Sequence, residues 1–143
     1  MYIHIHRLTI NRFHTVSELR FPGGTLHVVE PPLAGFSASG PHAVLPGEHS
    51  LYLKPLLGTL RPCFPKMGKK YRFYMAPQLE PVHVDDVSFD CPYLGYSLLK
   101  PLYAGFYDDE GWLHPDMEQW ESFCQLVADS HRRHEPVRVT FTV

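Results

Sequence analysis

Fourteen prolines and ten glycines are spread along 143 residues instead of being gathered into one linker. Proline breaks helix interiors and removes a ladder donor, and glycine opens the turn conformations closed to other residues. Punctuation this regular favours many short elements joined by turns over a few long helices. The length suits a single domain, residues 1–143, able to bury roughly two-thirds of its unfolded surface without staples.

Hydrophobic periodicity fills in the elements. Tyr2, His4, His6 and Leu8 alternate with Ile3, Ile5, Arg7 and Thr9, the period of a strand. Val16–Phe21 and Thr25–Glu30 flank Pro22-Gly23-Gly24, which predicts a hairpin around a loop of about three residues. Leu33–Val44 reads as a surface loop, His49–Lys54 as a strand, and the proline- and glycine-bearing stretch 55–70 as a second long loop. Tyr71–Met75 alternates, Val82–Val84 is a short strand, and Asp85–Pro92 is loop. Phe106-Tyr107 and Trp112-Leu113 bracket the acidic turn Asp108-Asp109-Glu110-Gly111. One helix is expected over about 115–132, with Met117, Trp120, Phe123, Cys124 and Val127 at three- and four-residue spacing. Asp116 and Glu118 suit its start, and His131 to His134 suit its end. A final strand covers about 137–143. The expected class is mainly β (α+β), a compact sandwich or barrel-like sheet with one late helix.

Composition excludes several function classes. Formal net charge is −2, and no basic cluster exceeds Lys69-Lys70 with Arg72, so a nucleic-acid partner is not expected. No apolar run approaches the roughly 20 residues of a membrane span, and the first residues lack the pattern of a signal peptide. Cys63, Cys91 and Cys124 form no CxxC and leave one thiol over in any pairing, so a reduced, cytoplasmic setting is expected. Nothing calls for a cofactor.

One segment gathers reactive groups. Between Glu80 and Leu98 stand His83, Asp85, Asp86, Cys91, Tyr93, Gly95 and Tyr96. A Cys–His pair is a nucleophile-and-base arrangement, and a turn can supply oxyanion donors. His83 and Cys91 are eight positions apart, close enough for a loop to join them and also consistent with an unreactive thiol. His4-x-His6 sets two imidazoles on one strand face, a geometry metals use, but Leu8–Phe13 supplies no acid to extend it. The acidic turn at 108–111 lacks the alternate spacing of a calcium loop and reads as an exposed turn.

The order of these features resembles a small bacterial and phage-associated β-rich domain whose halves carry the patterns LE-x-P…IP-x-G-x-Y and IH-x-GN…T-x-GC. Its histidine-to-glycine-cysteine layout is similar to the catalytic motif of L,D-transpeptidases. Glu30, Pro31, Pro46 and Gly47 match the first half, and His83 and Gly95 match the second. Asp85 stands at a glycine position, Asp86 at the asparagine, and Tyr96 where the nucleophilic cysteine belongs. The resemblance implies a domain of mobile-element or prophage origin that keeps the fold without the chemistry. It would bind a cell-wall peptide or a protein through His83, Asp85, Tyr93 and Tyr96. The alternative is a cysteine-dependent acyl transferase or amidase in which Cys91 attacks, His83 is the base and Asp85 or Asp86 orients it.

Overall fold

The computed structural model describes residues 1–33, 42–44, 46–56, 59–64, 70–75, 80–87, 89 and 99–143. Ten strands and one helix occur among them: β1 (Tyr2–Ile10), β2 (Thr15–Phe21), β3 (Gly24–Glu30), β4 (Gly47–Leu56), β5 (Thr59–Phe64), β6 (Lys70–Met75), β7 (Val82–His83), β8 (Leu99–Tyr107), β9 (Trp112–His114), α1 (Met117–Arg132) and β10 (Val137–Thr142). Eight strands follow one another as β3-β2-β1-β10-β4-β5-β6-β8, and pairing of β8 back to β3 closes them into a barrel. Closure removes the exposed edges an open sheet would carry. Most ladders are antiparallel. The first and last strands instead pair in parallel, Tyr2 opposite Arg138 through His6 opposite Thr142, as do β6 and β8.

Alternation decides what faces inward. Ile3, Ile5, Leu19, Phe21, Leu26, Val28, Leu51, Phe73, Leu102, Val139 and Phe141 fill the interior. The helix lies across one end of the barrel, touching β3, β4, β5, β8 and β10. Its Trp120, Phe123 and Val127 join the same core, and the Phe123 ring sits 5.6 Å from Phe21 and 5.5 Å from Phe73. Asp116 caps the helix by accepting from Gln119 N, and the Gln119 side chain accepts from Thr25 N at the start of β3.

The opposite end carries polar groups. A bulge skips Leu8, so that Arg7 pairs with Ser17 and Thr9 with Val16; Arg7 points inward and Leu8 stays exposed. Arg7 and Glu30, both with fully buried side chains, form an ion pair at 3.3 Å. Glu30 also accepts from Val44 N at 3.1 Å and from the Ser17 hydroxyl at 3.4 Å, and Arg7 donates to the Val44 carbonyl. The Tyr71 hydroxyl donates to the His42 carbonyl at 2.8 Å. These bonds fasten residues 42–44 over the barrel end, and Ala43 and Val44 are buried there.

Several expectations change. The reading of Leu33–Val44 as surface loop fails at 42–44, because those residues seal the core; 34–41 lie outside the described residues. The stretch 55–70 is not all loop: β5 occupies Thr59–Phe64 and β4 runs on to Leu56. Prolines 55, 62 and 101 sit within strands. Proline is tolerated in a strand where its missing N–H is not needed by the neighbour, which composition does not reveal. The first hairpin turns on two residues, Pro22-Gly23, with Gly23 at φ +96° and Phe21 paired with Gly24.

Candidate functional site

The segment around His83 wraps over the outside of the barrel. Val82 and His83 (β7) pair with Leu113 and Trp112 (β9), and β9 pairs with Phe106 and Tyr107 beyond the point where β6 leaves β8. Alternation splits this flap into two faces. Leu113 and Val84 turn inward and build a second small core with Val16, Val29, Tyr74 and Tyr103 on the barrel's outer surface. His83, Trp112, His114 and Phe106 are left on the solvent side. Close packing fixes the flap to β8, since a Cβ on Gly105 would come 2.2 Å from the His114 carbonyl oxygen.

The hairpin turn is organised by Asp108. One carboxylate oxygen accepts from Glu110 N and Trp112 N, each at 2.9 Å; the other lies 2.7 Å from His114 Nε2. The His114 contact, followed by the Trp112 amide, holds the Asp108 carboxyl below the usual carboxylate range. Gly111 takes φ +91°, and a Cβ there would meet His83 Nε2 at 2.8 Å, so both backbone and space require glycine.

His83 is tied to main chain at both ring nitrogens. Nε2 donates to the Glu110 carbonyl at 3.2 Å, and Nδ1 accepts from Asp85 N at 3.2 Å, which selects the Nε2–H tautomer. The Asp85 carboxylate lies 3.5 Å from Nδ1. The Trp112 ring stands edge-on to the imidazole at 5.3 Å. Asp86 ends the 3-10 turn Val84–Asp86 and is exposed; the hydrogen bonds of His83 go to Asp85 and Glu110 instead. Cys91, Tyr93, Gly95 and Tyr96 lie outside the described residues.

Phe106 (52% exposed) and Trp112 (39% exposed) anchor the outward face. Phe106 sits 5.7 Å from the His27 ring and 6.4 Å from His114. His27 Nδ1 accepts from Tyr107 N at 2.9 Å, and burial pushes its pKa down. His14 approaches the same region: burial lowers its pKa, the nearby Asp85 opposes that, and His83 adds to it. The result is a surface of aromatic rings interleaved with imidazoles and bordered by Asp85 and Asp108. It can stack on flat or apolar groups and exchange hydrogen bonds with amides and carboxylates.

The sequence places His83 and Asp85 together, and the structure does too. Trp112, His114, His27 and His14 were not singled out from sequence. The acidic turn is exposed at Asp109 and Glu110 as its composition implies, and Asp108 within it is the group that holds His114. The available signal was the hairpin itself, whose register sets Trp112 opposite His83 and His114 opposite Phe106. Glu30, matched to the bacterial pattern, serves the buried ion pair, and Gly47, at φ +119°, starts β4.

On the outer side of β1, His4 and His6 do share one strand face, with ring centroids 6.2 Å apart. No group of three or more His, Cys, Asp or Glu side chains among the described residues is placed to hold a metal ion. No helix among them is long and apolar enough to cross a membrane.

Fold and site together define a closed, helix-capped eight-stranded barrel with an outer aromatic–histidine face. Compared with protein-family models, with curated proteins and with solved structures, the chain gives no match.

Proposed function

We propose that the chain is a non-catalytic binding domain of bacterial mobile-element or prophage origin, and that it holds a cell-wall peptide on the outer face of β7, β9 and β8. The observation that carries this is the state of His83. Both its ring nitrogens are bound to main chain, while the Trp112 ring beside it is open to solvent. A base needs a nitrogen turned toward a substrate or nucleophile; here the imidazole shapes the platform on which Trp112 stands. Exposed aromatic anchors ringed by polar groups are the usual centre of a recognition surface.

Purified peptidoglycan sacculi test the reading by co-sedimentation, and titration calorimetry with a soluble disaccharide-tetrapeptide gives an affinity for parent and variant alike. Trp112→Ala should weaken binding at least about tenfold, the loss expected when a central aromatic anchor is truncated. Sacculi that leave the protein in the supernatant, or a variant that binds as well as the parent, would remove this ligand from this face.

A cysteine-dependent acyl transferase or amidase is favoured by one contact, the Asp85 carboxylate at 3.5 Å from His83 Nδ1. In that reading the ring proton of His83 moves from Nε2 to Nδ1, where the Asp85 carboxylate accepts it in a hydrogen bond, and the freed Nε2 leaves the Glu110 carbonyl and takes the proton of the Cys91 thiol. Iodoacetamide labelling across pH decides it: a Cys91 that titrates as an ordinary thiol, near the usual value of about 8.5, sinks the enzyme reading.

A further inference from the structure

The outer face of the junction between the first and last strands has no part in the binding surface above. β1 and β10 pair in parallel, with His4 opposite Thr140 and His6 opposite Thr142. His4 Nε2 lies 2.9 Å and His6 Nδ1 lies 3.2 Å from the same Thr142 hydroxyl oxygen. Two imidazole nitrogens from neighbouring positions of one strand therefore converge on one point. The hydroxyl has a single proton, so it donates to one ring and accepts from the other, which leaves one imidazole lone pair already aimed at the shared centre. Both histidines are exposed and neither belongs to a core cluster; alternation along β1 turns them outward, and their ring nitrogens stay within reach of solvent.

We propose that His4 and His6 form an exchangeable site for a divalent transition-metal ion, with the Thr142 oxygen and water completing the shell. Imidazole nitrogens select copper, nickel or zinc over magnesium or calcium, which prefer carboxylate and carbonyl oxygen. Metal–nitrogen bonds are about 2.0–2.1 Å for zinc, shorter than the present contacts to the hydroxyl, so the ion sits between the two rings in front of the oxygen. With no third His, Cys, Asp or Glu grouped there among the described residues, two protein nitrogens and open positions make a loading and unloading site rather than a permanent structural one. Glu18, the partner of His6 on β2, adds negative charge; Arg20, the partner of His4, is turned toward Glu18 by their ion pair. The ion would bridge β1 and β10, which pair in parallel.

Titration calorimetry of the whole protein with Cu²⁺, Ni²⁺ and Zn²⁺ gives the affinities, and the electron paramagnetic resonance spectrum of the copper form counts coordinating nitrogens. The expected result is one site with two nitrogen ligands, a rise in melting temperature with metal, and at least a tenfold loss of affinity in His4→Ala and in His6→Ala. Thr142→Val should keep most of the affinity, because it removes only the oxygen. Eight other histidines could bind metal elsewhere. Equal binding by the parent and the His4→Ala/His6→Ala double variant therefore overturns the proposal, as does a spectrum without two nitrogens. Circular dichroism of the apo variants separates loss of a ligand from loss of fold, and both substitutions are on the exposed face.

Discussion

At the scale of single residues, the flap depends on groups that do two things at once. Gly111 must adopt positive φ and must also leave room for the His83 ring. Gly111→Ala should therefore cost about 1–3 kcal/mol, the range for a strained backbone position, measured by urea denaturation, and should change the Trp112 emission because the neighbouring imidazole is displaced. Asp108 binds two amides and His114, and those contacts depress its pKa below the ordinary 3.8. Its folded value is the lower one, so its contribution to stability is intact above the unfolded value and is lost as pH falls through the folded value. The stability difference between the parent and Asp108→Asn should be constant in its carboxylate-dependent part above that window and shrink within it. A gap unchanged down to strongly acid pH contradicts the assignment. The sequence showed that His83 stands near acids but not which atoms it would meet, because hydrogen bonds to main chain depend on the turn geometry of a strand that lies nearly thirty positions further along the chain.

At the scale of elements, the strap at 42–44 and the barrel end it covers are held by a buried ion pair. Burial drives the Glu30 carboxyl upward, and Arg7, the Val44 amide and Ser17 oppose that. Burial, with Glu30 adding to it, likewise pushes Tyr71 up to about 12. Removing one member of a buried pair strands the other's charge, so Arg7→Met and Glu30→Leu should each cost about 3–5 kcal/mol, while the double variant should cost much less than the sum. Two additive losses in a denaturation cycle would mean that the pair is not coupled. None of this was legible in the alternation of β1, which put Arg7 on the same side as Ile3 and Ile5 without saying what a cation does inside a core. Glu30 matches a bacterial pattern in the sequence, and in the structure it pairs with Arg7 and holds the Val44 amide. β5 escapes the sequence because Pro62 carries the composition signal of a loop, whereas its residues pair with β4 on one side and β6 on the other.

At the scale of the molecule, the helix is a stopper and the barrel is incomplete without it. Phe123 is fully buried between Phe21 and Phe73, so Phe123→Ala should remove about 3–5 kcal/mol, the usual cost of deleting a core aromatic ring. Because the helix rests on five strands, chemical unfolding followed by far-ultraviolet circular dichroism and by tryptophan fluorescence should still give one coincident transition. Separate transitions would mean that the helix melts independently of the barrel.

Period and punctuation were enough to determine the local content of this protein: the alternating β1 and β10, the Pro22-Gly23 hairpin, the turn at 108–111 and a helix with its apolar stripe between Pro115 and Pro136. Those signals act over a few residues, through steric limits on the backbone and the burial of one face, so they can be read in order along the chain. Only the tertiary structure decided that β8 returns to β3 and closes the sheet, that β1 lies beside β10, that residues 42–44 seal the end opposite the helix, and that Trp112 faces His83. Each of those brings together groups distant in sequence, and each is fixed by shared packing and register. No single stretch of the chain contains both halves of such a contact.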